Sequence, residues 1–283
     1  TSDIAEILHR QTEKPICHAE AASLPRIWES HQPGICVLDA SCQEELCSIA
    51  AFVAGEGHCL VMGGSAGFAA GLSDSLPLRC CAQADCTCPR AHLFLVGSVN
   101  QVSLDQIDRA ARQGYPLVRL TFEQQLSRDY YQRGESAGLL DAIMAALLQK
   151  RQCIVSTLDN RSQLQDAAQY ARRIALDPAE VSTRIAANMG VLVQQLLHRP
   201  VSMALIVFGG DTLLGIMQAI RCRYIIPIRE LRPGIVLSRA VCEDGSLTLV
   251  TKAGGFGEVD TIPYINKCLD ECTSAATGGF NYV

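Results

Sequence analysis

Between residues 204 and 218 an apolar run, Ala204-Leu-Ile-Val-Phe208, breaks into Gly209-Gly210-Asp211-Thr212 and passes into an amphipathic pattern. A buried strand that ends in two glycines and turns into a helix aims several unpaired backbone N–H groups, and the positive end of the helix dipole, at one spot above the sheet edge. The glycines let a phosphate approach the main chain, and Asp211 or Thr212 can cap the helix. A plain turn uses the same residues, so this junction alone leaves anion binding and turn geometry both open. A second cluster, Leu247-Thr-Leu-Val-Thr251-Lys252-Ala253-Gly254-Gly255-Phe256-Gly257, sets a lysine directly after a strand pattern and follows it with three glycines in four positions. Main-chain N–H groups in such a loop form an anion-binding nest, to which Lys252 adds a point charge suited to phosphate. No Gly-Lys-Ser/Thr and no G-x-G-x-x-G occurs in the chain, so a nucleotide site built here belongs to neither common class.

Two other groupings could carry chemistry. Gly63-Gly64-Ser65-Ala66-Gly67 matches the G-x-S-x-G of a hydrolase elbow, with His92 and His198 as the downstream histidines that a triad would need. His92 falls in a strand pattern and His198 at a helix end, and Ser65 serves equally well as the cap of the following helix. Cys80, Cys81, Cys86 and Cys88 offer four thiols within nine residues. Adjacent cysteines and a C-x-C crowd one ion, unlike the separated pairs of a zinc knuckle, so a cysteine-rich loop without metal is the expectation. The six histidines show no i, i+4 pair.

The composition excludes several classes. Of 283 residues 48% are hydrophobic and 19% charged, which is globular rather than disordered. Twenty-four Lys and Arg against 29 Asp and Glu give a net charge of −5 without a basic stripe, so neither nucleic acid nor a membrane surface is an expected partner. No apolar run approaches the ~20 residues that span a bilayer. The fourteen cysteines, Cys36, Cys59 and Cys153 among them, sit mostly singly in apolar runs, and with no secretory signal in view the expected location is cytoplasmic.

These candidates need elements to position them. Short β-rich runs at Ile35–Asp39, Cys59–Met62, His92–Val96, Leu117–Leu120, Cys153–Ser156 and Met203–Phe208 alternate with helix patterns near 43–54, 65–76, 103–113, 136–150, 162–175 and 178–198. That alternation predicts an α/β fold in three layers, a mainly parallel sheet with helices on both faces. The 178–198 helix is marked by Asp177 as N-cap, Pro178 at the first position and Glu180 at the capping-box position, and by a buried stripe of Val181, Ile185, Met189, Leu192 and Leu196. After residue 221 the section is β-rich, with Tyr224–Ile228, Ile235–Leu237 and Leu247–Thr251, then a helix over about 260–271 and a polar tail from Thr273 to Val283. The composition break over 73–91 reads as an interdomain linker.

Taken in order, Phe208-Gly-Gly-Asp-Thr212, Glu230-Leu-Arg-Pro-Gly234 and Val250-Thr-Lys-Ala-Gly-Gly-Phe-Gly257 resemble the carboxy-terminal nucleotide-binding domain of the four-carbon acid sugar kinases, which act on 3-oxo-tetronate, D-threonate or D-erythronate. Phe94-Leu-Val-Gly97-Ser98-Val-Asn resembles the strand and Gly-Ser turn that opens that domain, and Val37-Leu-Asp-Ala40 with Gly64-Ser-Ala-Gly67 the last part of the family's acid-binding domain. The resemblance implies residues 1–78 as the end of the acid-binding domain, 79–90 as a cysteine-rich linker and 91–283 as the nucleotide-binding domain. It implies ATP contacts from Ser98, Gly209, Gly210, Asp211, Thr212, Gly254 and Gly255, with Lys252 near the phosphates, Mg²⁺ as the companion ion and a small sugar acid as partner. The family's Asp-Asp-x-Thr-Gly motif, which helps bind the acid, does not occur in this sequence, so the catalytic base is unassigned and the chain is expected to supply the ATP half of the kinase. An exposed half-domain of this kind is also a surface on which a homo-oligomer could form.

Overall fold

A computed structural model describes residues 2–30, 33–56, 61–78, 88–97, 100–157 and 163–277, and the chain divides into two units, Thr1–Ala82 and Gln83–Val283. In the first unit, strands β1 (Ile16–Glu20) and β2 (Ile35–Asp39) pair in parallel. Helices α1 (Ile4–His9), α2 (Leu24–Glu29), α3 (Gln43–Gly55) and α4 (Ala66–Ser75) accompany them. Helix α4 packs on α3 closely enough that a Cβ at Gly71 would lie 3.2 Å from the Cys47 Cα. Cys36 is exposed and faces Cys17 across the β1–β2 register, so it is not the lone core thiol that its apolar run suggests.

The second unit is the predicted three-layer α/β fold. Its elements run β3 (Ala91–Val96), α5 (Gln101–Arg112), β4 (Leu117–Arg119), α6 (Phe122–Leu126), α7 (Ser136–Lys150), β5 (Gln152–Ser156), α8 (Gln163–Arg173), α9 (Val181–Leu197), β6 (Met203–Phe208), α10 (Gly210–Ala219), β7 (Cys222–Arg232), β8 (Ile235–Cys242), β9 (Gly245–Lys252) and α11 (Thr261–Thr277). The sheet order is β4-β5-β3-β6-β9-β8-β7, with β8 antiparallel to both its neighbours and the other pairings parallel.

Strands β3 and β6 are buried along their whole length because both faces are covered. Leu93, Leu95, Leu205 and Val207 pack with α7, α9 and α10, while Phe94, Val96, Ile206 and Phe208 pack with α5 and α11. The period of two in the strands thus feeds two separate cores. Helices α9 and α10 approach almost backbone to backbone, since a Cβ at Gly215 would lie 2.2 Å from the Ala186 carbonyl oxygen and one at Gly190 2.3 Å from that of Gly215.

Several local expectations change. Val61 and Met62 lie outside any strand, and residues 59 and 60 lie outside the described ones. Residues 178–180 form a 3-10 turn before α9; Asp177 caps it by accepting from the Ala179 N–H, while the Glu180 carboxylate pairs with Arg184. Helix α11 runs to Thr277, past the expected start of the tail, because nothing between 271 and 277 breaks a helix. The strands after 221 are longer than their apolar cores: β7 has 11 residues and shifts register against β8 between Cys222 and Tyr224, Pro227 and Arg229, and Glu230 and Arg232.

Candidate functional site

Five parallel strands end on one line. Arg119, Ser156, Val96, Phe208 and Lys252 are register partners across β4, β5, β3, β6 and β9, so the residues that follow them form one carboxyl edge. At that edge β3 feeds α5 on one face of the sheet and its neighbour β6 feeds α10 on the other. Adjacent strands that send the chain to opposite faces open a crevice, where ligands of open α/β sheets bind.

The two glycine clusters meet on this edge. The Gly209 N–H donates to the Lys252 carbonyl at 3.1 Å, joining the turn after β6 to the loop after β9. Gly209 has φ +104°, a conformation that glycine alone takes readily, and it is the N-cap of α10 without any side-chain capping bond. Asp211 and Thr212, the expected caps, therefore do not cap. Thr212 is buried against the end of β3, where a Cβ at Gly97 would lie 2.0 Å from its Oγ1, and the Asp211 carboxylate is exposed. By contrast α5 closes its own start, the Asn100 side chain accepting from the Val102 N–H. The amides of Gly210, Asp211 and Thr212 find no acceptor among the described residues, and neither do those of Gly254, Gly255 and Gly257. Six N–H groups on two neighbouring turns are thus available to an anion.

The glycine loop is fixed from beneath. Ser103 Oγ of α5 donates to the Gly254 carbonyl at 2.8 Å, and Gln106 Nε2 donates to the carbonyls of Phe256 and Glu258 at 3.2 and 2.9 Å. The Glu230–Gly234 segment supports it from the side: Glu230 Oε1 accepts from the Gly234 N–H, the Gly234 carbonyl accepts from the Ala253 N–H, and the Phe256 ring packs where a Cβ at Gly234 would sit. Arg232 lies over the Tyr264 ring at 3.7 Å and bonds Asp260. The motif between the two clusters is therefore a buttress.

Lys252 is almost completely buried, its Nζ donating to the carbonyls of Ala253 and Gly254 at 3.0 Å each and to Ser103 Oγ at 3.4 Å, with the Phe208 ring 4.6 Å away. Burial away from any counter-ion lowers its pKa to about 8.

Of the residues marked by sequence, Gly209, Gly210, Asp211, Thr212, Lys252, Gly254 and Gly255 come together here, while Ser98 lies outside the described residues. Ser103 and Gln106 are not marked by sequence; the one signal for them is that they are polar residues in register with Leu104, Ile107 and Ala110 on the buried stripe of α5. Among the described residues no three metal-ligating side chains cluster; Cys88 is buried, and Cys80, Cys81 and Cys86 lie outside them. Ser65 accepts from the Phe68 N–H as the cap of α4 and bonds no histidine among the described residues. The His92 nitrogens meet Asn266 Oδ1 and the Pro89 carbonyl, and His198 caps the end of α9.

Comparison with known proteins finds the same fold. A protein of Haemophilus influenzae superposes with a TM-score of 0.63 at 19% identity, over 95% of this chain and 64% of that one. A protein of Salmonella typhimurium superposes with a TM-score of 0.66 at 17% identity, over 93% of this chain and 62% of that one. At such identities the likeness is one of fold, and the chain spans less than two thirds of the length of either. No curated protein sequence matches. Residues 93–262 match the family model described as a nucleotide-binding C-terminal domain, which takes in the whole carboxyl edge, and the chain thereby belongs to the four-carbon acid sugar kinase family.

Proposed function

We propose that the chain binds the phosphates of ATP at the carboxyl edge of β6 and β9 and serves as the nucleotide half of a kinase that phosphorylates the terminal hydroxyl of a four-carbon sugar acid, 3-oxo-tetronate, threonate or erythronate. The observation that carries this reading is the set of six amides on two adjoining turns that find no acceptor among the described residues, three of them at the start of α10. Phosphoryl transfer requires mainly positioning and charge neutralisation, which oriented amides supply without reorganisation. The turn of Gly209, Gly210 and Thr212 would hold one part of the triphosphate and Gly254 and Gly255 another, with Ser98, two residues after β3 in the sequence, as a further contact. The donor set also fits Mg²⁺, which is held by few carboxylates and by the phosphates themselves: the Asp211 carboxylate is exposed beside the free amides and makes no ion pair or hydrogen bond among the described residues. Bound there, the ion would neutralise phosphate charge.

Calorimetric titration of the chain with ATP–Mg²⁺, ADP–Mg²⁺ and GTP–Mg²⁺ tests the reading. Saturable heat with ATP is expected, and its absence at millimolar nucleotide would end the proposal. An assay of phosphoryl transfer from ATP to each of the three acids then identifies the acceptor.

A further inference from the structure

Lys252 is the only lysine on the glycine loop, and the obvious role for it is a direct hand on the phosphates; its surroundings point elsewhere. An ammonium has three hydrogens to donate, and all three have acceptors inside the protein: the carbonyls of Ala253 and Gly254 and Ser103 Oγ. Ser103 Oγ in turn donates to the same Gly254 carbonyl, so the cation, the hydroxyl and the loop close into one small network. A chain whose carbonyls are drawn down onto a buried cation keeps them away from its outer surface, where an anion needs amides.

We propose that Lys252 is a positioning residue that works from beneath the loop: its ammonium gathers the Ala253 and Gly254 carbonyls, so that the Gly254, Gly255 and Gly257 amides stay free for the nucleotide, which binds only when Lys252 is protonated. The inference rests on the nucleotide-binding reading given above. It differs from a phosphate-contacting lysine because the cation acts before any ligand arrives.

The environment makes the dependence on protonation sharp. From β6 the group facing Nζ is the Phe208 ring, from α5 Ser103, and from the loop two carbonyls. On the adjoining segments the Glu230 carboxylate takes the Gly234 N–H, Asp260 pairs with Arg232, and Asp211 and Glu258 are exposed; none of the four reaches Nζ. With burial as the cause of the lowered value of about 8, the ammonium loses its proton just above neutrality. A bound polyphosphate across the loop favours the charged form, so binding raises the pKa of Lys252 and takes up protons at pH 8.

The test uses the whole chain. In wild type the ATP–Mg²⁺ dissociation constant should be flat from pH 6.5 to 7.5 and climb toward tenfold per pH unit above about pH 8. Titrations at pH 8 in buffers of different ionisation enthalpy should show proton uptake. Lys252→Met, which carries no proton at any pH, should weaken binding at pH 7 by at least as much as wild type loses by pH 10, about a hundredfold, and should abolish the pH dependence. Amide exchange over 253–258 at pH 7 without nucleotide should be faster in Lys252→Met and in Ser103→Ala than in wild type. A lysine that merely touched phosphate would weaken binding on substitution while leaving that exchange unchanged, and this result would overturn the proposal. So would wild-type binding that is independent of pH and releases or takes up no protons, a result obtainable even if Lys252→Met fails to fold. Wild type that binds no nucleotide at any pH would instead sink the nucleotide-binding reading.

Discussion

At the scale of single residues, the adjoining glycines 209 and 210 do different work, and substitution separates them. Gly209 holds φ +104°, so a side chain there is strained whatever space surrounds it. Gly209→Ala should lower the stability of the nucleotide-free protein by ~1–3 kcal/mol, measured by chemical denaturation, and weaken nucleotide binding as a consequence. Gly210 has helical geometry and open space, with no atom outside its own turn of chain within 4 Å of the place a methyl group would take, and alanine is the better helix former by roughly 1 kcal/mol. Gly210→Ala should therefore leave unliganded stability equal or slightly raised, while its methyl hinders approach to the first free amide of α10. Thermal-shift curves with and without ATP–Mg²⁺ distinguish the two outcomes: both variants lose nucleotide-induced stabilisation, but only Gly209→Ala starts from a lower baseline. A Gly210→Ala variant that keeps the full ATP shift would show that phosphate does not approach this turn. The sequence marks both glycines and the lysine, since two separate glycine clusters each follow a strand pattern. It cannot show that Asp211 and Thr212 fail to cap, because capping depends on the φ and ψ of the preceding glycine.

At the scale of elements, the contact between α9 and α10 holds the start of α10 in place. Gly215 meets the Ala186 carbonyl and Gly190 meets the Gly215 carbonyl, so both helices lack a side chain at their crossing. Gly215→Ala gains helix propensity but inserts a methyl 2.2 Å from a backbone oxygen, and overpacking of this kind costs ~1–3 kcal/mol. The expected result is a lower unfolding temperature, by roughly 2–4 °C for each kcal/mol in a unit of this size, together with weakened ATP binding because α10 must shift. Unchanged melting would mean that the helices can separate without loss. Long strands and amphipathic helices of this unit are legible in the sequence: Leu93-Phe-Leu-Val96 and Met203–Phe208 stand out as unbroken apolar runs, and Met189, Leu192 and Leu196 repeat at three or four. Short elements are not. Helices α1, α2 and α6 and strand β1 have five or six residues each, too few for a period to stand out, and α6 is announced only by its capping box, Thr121 with Gln124. The buried polar residues of α5 are legible only in part, since Gln106 interrupts an apolar stripe without saying which carbonyls it will meet.

At the scale of the molecule, the two units differ in what they can withstand. Among the described residues the first unit fully buries only Leu24, Ile49 and Ala50 as hydrophobic side chains and relies on a two-stranded sheet, a form that is marginal in isolation. The second has a seven-stranded sheet between two apolar layers. Hydrophobic stabilisation scales with the area removed from water, so the first unit should unfold at the lower temperature and the chain should melt in two steps rather than one. Nucleotide then labels the steps. A ligand that binds only the folded form of one unit stabilises it by RT ln(1 + [L]/Kd), ~2.7 kcal/mol at a hundredfold excess over Kd, and it does nothing for a unit it does not touch. Scanning calorimetry with increasing ATP–Mg²⁺ should therefore move the upper transition upward and leave the lower one fixed. If both transitions moved together, nucleotide binding would have to draw on residues 1–82 as well, and the division of labour drawn from the carboxyl edge of β6 and β9 would be wrong.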